Sequence, residues 1–255
     1  MKFIYSLLAA LIILSCSNES STLQQITSEN IIGTWIIKAI DNEEVYTNEQ
    51  FACRFNSNGM QDYLAIVDNG DGSSYFSYTD FATYSVTDGT IYLVSSILEL
   101  KISGAINYGE LCGEMGDILI YSESINVQQG EDVNENRTFT AIRTWADYSD
   151  DIIGLWEGEV ISGDTSEPFD NIRLEFKAGG TFDFYKKESS DNDWVLLEQD
   201  NTYATVGTLL STQWSEDDQT TVAETWEISI SGNSMTWRAT REGINYQTGF
   251  DLVKL

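Results

Sequence analysis

Apolar and polar residues alternate with a period of two in short runs along most of this chain. Phe51, Cys53 and Phe55 alternate with Ala52, Arg54 and Asn56, and Ile172, Leu174 and Phe176 alternate with Arg173, Glu175 and Lys177. That spacing is the signature of strands with one buried face. Runs rich in Thr, Tyr, Phe, Ile and Val predict strands over 33–39, 51–55, 60–67, 75–78, 82–87, 90–95, 97–102, 117–121 and 137–143. They recur at the Gly154 segment and over 172–177, 181–187, 194–198, 203–210, 222–230, 234–241 and 246–254. Gly, Asn, Asp and Ser cut the runs, and with Pro168 the sole proline these residues supply the turns. Asp88-Gly89 is the two-residue signal for a type I′ hairpin, and Ser231-Gly232-Asn233 holds the same place later in the chain. No run carries the signal of a crossover helix, so the chain is expected to be all-β.

The pattern occurs twice. Ile31-Ile32-Gly33-Thr34-Trp35 returns 121 residues later as Ile152-Ile153-Gly154-Leu155-Trp156. The same offset carries Phe55 onto Phe176, Gly59 onto Gly180 and Tyr63 onto Phe184. A repeat of this length is a whole small domain and not a solenoid unit. Each half predicts about eight strands joined hairpin by hairpin, an up-and-down meander that closes into a barrel with no exposed edge. The expected fold is two tandem antiparallel meander β-barrels, over residues 30–146 and 147–255.

The first residues stand outside that pattern. Met1-Lys2 is a short positive start, Phe3 to Leu14 is uncharged and mostly apolar, and Ile13-Leu14-Ser15-Cys16 closes the run. The run is shorter than the ~20 apolar residues of a transmembrane helix and reads as a signal peptide over 1–15. A small residue before a cysteine at the end of such a run resembles the bacterial lipobox. The resemblance implies cleavage before Cys16, a diacylglycerol on its sulfur and acylation of its new amino group, and so an anchor in the bacterial outer membrane. Residues 16–29 are polar and aperiodic and read as a flexible tether.

Charge narrows the partners. There are 41 acidic and 13 basic residues, no histidine, and a net charge of −28. Such a body repels nucleic acid and anionic lipid, leaving the anchor as the membrane contact. Acidic stretches at 130–135 and 215–218 read as solvated loops. Asp68-Asn69-Gly70-Asp71-Gly72 fails the EF-hand spacing and reads as a β-turn, and no metal or cofactor is expected. With Cys16 acylated, Cys53 and Cys112 are left as an even pair in an oxidising compartment, open to a disulfide. The repeat register sets Cys53 against Leu174, which instead suits a buried aliphatic position.

Gly33-Thr34-Trp35 and Gly154-Leu155-Trp156, each opening a meander, resemble the Gly-x-Trp start of lipocalins. The resemblance is closer to the lipocalin-like domains of bacterial surface and periplasmic lipoproteins. It implies that Trp35 and Trp156 pack across the closed end of each barrel beneath a basic residue from the last strand. The matching residues here are Arg143 and Lys254. It also implies a cavity for a small hydrophobic or amphipathic ligand in each open end. On inward parity, Phe55, Tyr63, Tyr84 and Val86 would line the first cavity, and Phe176, Phe184, Trp226 and Ile228 the second. The same side chains would equally serve to fill the interior, leaving a structural or protein- or glycan-binding module. Trp194, Trp214 and Trp237 raise the further alternative of a sugar-stacking platform.

Catalysis is the rival class. Without histidine there is no His-dependent triad and no usual zinc site, and no phosphate-cradling glycine loop appears. Two carboxylates could support glycoside hydrolysis, but among 41 acids no pair stands out. The reading is therefore a binding protein and not an enzyme.

Overall fold

The computed structural model describes residues 23–68, 73–96, 98–127, 137–161, 171–188, 190, 192–215, 221–241 and 244–255. The signal peptide, Cys16, residues 69–72 of the acidic turn, 130–135 and 216–218 lie outside them.

Apart from a 3₁₀ turn at Thr47–Glu49, every regular element of the described residues is a strand. The first barrel comprises β1 (Gln24–Gln25), β2 (Gly33–Ile40), β3 (Glu43–Glu44), β4 (Ala52–Phe55), β5 (Met60–Asp68), β6 (Ser73–Thr87), β7 (Thr90–Val94), β8 (Leu98–Leu111), β9 (Glu114–Val127) and β10 (Thr138–Thr144). β2 and β4 to β10 pair with sequence neighbours, and β10 returns to β2, closing eight strands; β1 and β3 are short additions on β8 and β2. The second barrel is β11 (Gly154–Ile161), β12 (Asn171–Lys177), β13 (Thr181–Lys187), β14 (Val195–Val206), β15 (Leu209–Ser215), β16 (Thr221–Ser231), β17 (Ser234–Arg241) and β18 (Ile244–Lys254), closed in chain order. The all-β tandem-barrel expectation is met.

Local chemistry explains the hairpins. Asp88 and Gly89 both take positive φ, 50° and 77°, the type I′ geometry whose twist matches the flanking strands. Cys112 and Gly113 do the same at 50° and 83°, joining β8 to β9. Where the sequence pattern breaks β6 after Tyr78, the strand continues: a register shift against β5 and a positive φ at Asp80 absorb the irregularity. In the second barrel the pattern splits β14 and misses β15 as a separate strand, because the turn at Gly207 lies inside an apolar run.

The duplication is exact enough to be seen atom by atom. The Trp35 indole N–H donates to the Ile31 carbonyl at 2.7 Å, and that of Trp156 to Ile152 at 2.7 Å. Tyr84 packs edge-on to Phe55 and donates its hydroxyl to Asn56, while Tyr203 packs edge-on to Phe176 and donates to Lys177. These groups form the closed ends. The described part of the predicted tether belongs to the fold: Gln24 and Gln25 pair with β8, and Ile26 is 1% exposed in the core. An apolar Ile26 amid polar residues gains more by burial there than as part of a solvated linker.

The two barrels lie side by side. Ile36, Ala52 and Leu64 on the outer face of the first pack against Val206 and Leu209 on the outer face of the second. Lys38, buried, meets Glu227 at 2.6 Å and Glu114 at 3.3 Å. β16 and β17 pair only from Glu227 and Arg238 towards their hairpin, and nearer the open end they part. The first barrel fills this split: Ala223 N–H donates to Ser73 Oγ, Thr225 N–H to Asn48 Oδ1 and Thr240 N–H to Thr47 Oγ1, each at 2.8 Å. Strand donors freed by the split thus find acceptors across the interface. At the other end, the Gly207 turn lies against Thr34 and Thr144, so the closed ends are together and the open ends face the same side.

Candidate functional site

The closed ends are locked. Arg143 lies 4.4 Å from the Trp35 ring and 5.1 Å from Trp145, donates to the Asn30 carbonyl and pairs with Asp117 at 3.1 Å. Lys254 Nζ lies 5.0 Å from the Trp156 ring and donates to the Asp151 carbonyl at 2.9 Å. Gly33 and Gly154 sit at φ 127° and 134° directly beside these cations, which explains the glycine before each Trp.

The residues predicted to line the cavities divide by depth. Phe55, Tyr84 and Val86 lie towards the closed end of the first barrel, and Phe176 occupies the matching place in the second. Trp226 and Ile228 are buried in the second core. Tyr63 and Phe184 are the two that reach the open halves, partly buried against the cores. The proposed tryptophan platform does not form. Trp237 is inside the second barrel, whereas Trp194 lies outside it between Arg173 and Lys187, at 4.4 and 4.8 Å.

Cys53 and Cys112 are not joined. Cys53 points into the first barrel, where burial pushes its thiol well above the usual range, helped by Glu123. Cys112 caps the β8–β9 turn against a separate outer cluster with Leu111, Ile118 and Ile142. They pack in separate clusters on opposite faces of the barrel wall, so their thiols do not meet. The aliphatic reading of Cys53 is the one the structure supports.

The open halves hold polar chemistry that the sequence pattern does not single out. In the first barrel Glu123 lies opposite Ile102 on β8 and shares the inward face with Tyr63, Tyr121 and Cys53. Burial raises the phenols of Tyr63 and Tyr121, with Cys53 and Glu123 adding to the effect. Phe51, Phe76, Phe81 and Phe139 surround them within 5.2–6.3 Å between ring centres. In the second barrel Arg241 stacks 4.6 Å from the Trp226 ring. It donates to the Thr225 carbonyl at 2.9 Å and the Thr240 carbonyl at 3.4 Å, stapling the split between β16 and β17 from inside. Glu224 stands 3.8 Å from its Nε, and burial holds this carboxyl above its ordinary value while Arg241 pulls it down. Trp226 in turn donates to Thr212 Oγ1 at 3.3 Å. β14 and β15 also separate beyond Thr202 and Gln213, leaving a notch of ≈ 350 Å³ bordered by Glu198, Asn201 and Trp214.

A usable signal for these groups was present: Glu224 has the parity of Trp226 and Ile228, Arg241 that of Trp237, and Glu123 that of Tyr121. A charge on the inward face of a strand is costly unless paired or used. Among the described residues no group of three or more acidic or cysteine side chains is placed to hold a metal ion, and no helix is long and apolar enough to cross a membrane.

Fold and site together define a tandem pair of eight-stranded antiparallel barrels with locked closed ends and polar groups in the open ends, an arrangement consistent with a lipocalin-like fold. Comparison with protein families, with curated proteins and with solved structures returns no match.

Proposed function

We propose that this protein is a lipid-anchored lipoprotein of the bacterial outer membrane that holds a small amphipathic ligand in an open barrel end and catalyses no reaction. The observation that carries the binding role is the charge inside the open halves: Glu123 among aromatic rings in one barrel, and Arg241 with Glu224 in the other. An interior serving only as filler would be apolar at these positions, as both closed halves are. The anchor rests on the lipobox-like Leu14-Ser15-Cys16.

Native mass spectrometry of the chain from Ser17, before and after organic extraction, tests the binding role. Extra mass that disappears on extraction is the expected result. A bare polypeptide mass together with no binding of added amphiphiles would replace this reading with barrels that act through their outer surfaces on a protein or glycan. For the anchor, Cys16→Ser is expected to move the protein from the membrane fraction to the soluble one and to abolish labelling by a radioactive fatty acid. Retention of the label would refute acylation at Cys16.

A further inference from the structure

Outside both barrel interiors, the seam between the barrels holds a cleft of ≈ 160 Å³. It lies where Thr47 enters the split between β16 and β17, with Lys38, Glu44, Gln50 and Glu114 contributed by the first barrel and Glu227 and Arg238 by the second. The cations of this cleft are already taken. Arg238 gives its donors to the carbonyls of Trp237 and Phe250 and to Asp251 Oδ1. Lys38 is shared between Glu227 at 2.6 Å and Glu114 at 3.3 Å. The exposed carboxylate of Glu44 forms no ion pair among the described residues. Three carboxylates therefore share the one cation of Lys38, and the cleft carries net negative charge.

A buried acceptor adds to that imbalance. Gln50 is 4% exposed, and its Oε1 has no hydrogen-bond partner among the described residues. An unmet acceptor at this depth is costly. The soft terminal torsion of a glutamine lets that oxygen turn towards a donor placed in the cleft.

What the walls lack is a donor with positive charge. A metal ion does not fit, because among the described residues no group of three or more acidic or cysteine side chains is placed to hold one. An acid or a zwitterion does not fit either, since its carboxylate would meet Glu44, Glu114 and Glu227 with no uncommitted cation to offset them. An alkylammonium group supplies both one positive charge and three N–H donors. The cleft has room for about five waters at the ~30 Å³ that each occupies in the liquid, which restricts the ligand to a short chain.

We infer that the seam between the barrels binds a small primary alkylammonium compound, its N–H groups reaching Gln50 Oε1 and its charge met by Glu44 and Glu227. The site is separate from the barrel interiors and does not rest on the binding role proposed above. Because its walls come from both barrels, an occupied cleft stabilises their pairing.

The test titrates the chain from Ser17 with butylammonium chloride and, separately, with butanol and with butyrate, by calorimetry at fixed ionic strength. Butylammonium is expected to bind at one site per chain with a Kd of about 1 mM or below, and the other two about tenfold or more weakly. Gln50→Leu removes the acceptor and keeps the bulk. It should weaken binding about tenfold, while the free protein melts at the same temperature or higher because an unpaired buried acceptor has been replaced by apolar atoms. Glu44→Gln, at the exposed rim, should weaken binding about threefold with the melting temperature unchanged. No binding at about 10 mM, or equal affinity for butanol, would overturn the inference. Unaltered affinity in Gln50→Leu and Glu44→Gln would place the amine elsewhere on the molecule and overturn it as well. A lower melting temperature in Gln50→Leu would show that the amide already has its partner, with the same consequence.

Discussion

At the scale of single residues, the closed ends depend on an indole, a cation and a glycine that removes the Cβ between them. Trp35→Ala takes away a fully buried indole and is expected to cost about 3–5 kcal/mol in urea unfolding. Lys254→Met keeps the stem over Trp156 and loses the charge, so a smaller loss of about 0.5–2 kcal/mol is expected. An unchanged unfolding midpoint in the first variant would remove Trp35 from this role. Glu224 gives a pH-dependent prediction. Its carboxyl is held above the ordinary 4.5, so the folded state keeps a proton that the unfolded chain releases. That contribution favours folding below the unfolded value and is lost as pH rises through the folded one. The stability difference between Glu224→Gln and wild type should therefore shift in favour of the variant from about pH 4 to about pH 7. A constant difference would show that Glu224 titrates normally. Trp35 and Trp156 were legible in sequence because they repeat in register, whereas Arg143 and Lys254, 111 residues apart, were legible only through the resemblance that sets a basic residue at the end of the last strand. Tyr84 and Tyr203 do the same work but are offset by a different spacing, so parity assigned Tyr84 to a cavity wall. Their hydroxyl bonds to the backbone at the closed end show why that position needs tyrosine.

At the scale of elements, alternation located most strands, because each barrel wall has one wet face and one buried face. It failed where that condition fails. Trp35, Ile36 and Ile37 are all buried, since β2 is covered on its inside by the core and on its outside by the second barrel. Leu209 and Leu210 are buried for the same reason, which hid the turn at Gly207 and the start of β15. Paired strands also impose local limits. A Cβ at Gly158 would overlap the Asp251 carbonyl on β18, whereas one at Gly179, in the β12–β13 turn, meets nothing. Gly158→Ala is expected to lower the melting temperature by several degrees through displacement of the β11–β18 seam, and Gly179→Ala to stay within about 0.5 kcal/mol of wild type. Comparable effects of the two would mean that the seam adjusts without cost.

At the scale of the whole molecule, two closed barrels would unfold separately if the connection between them were only a linker. The buried Ile36–Leu209 cluster, the Lys38–Glu227 pair and the hydrogen bonds into the split between β16 and β17 couple them. A single thermal transition is expected, resolved into two by Leu209→Asp, which places a carboxylate in the apolar contact. Two transitions in the wild type would make the interface incidental. None of this was legible in a sequence read as two independent repeats. The signal was Lys38 beside a run apolar on both faces, and a buried cation acquires meaning only once its partner on the other barrel is known.

Because Thr47, Asn48 and Ser73 insert into the second barrel near its open end, the distance between the two openings is set by hydrogen bonds and not by the connecting segment. The molecule therefore holds its two openings at a fixed spacing. Under the binding role proposed above, a bivalent compound whose two ends match that fixed spacing would gain the effective concentration of an intramolecular second contact, while one too short to span it would engage a single opening.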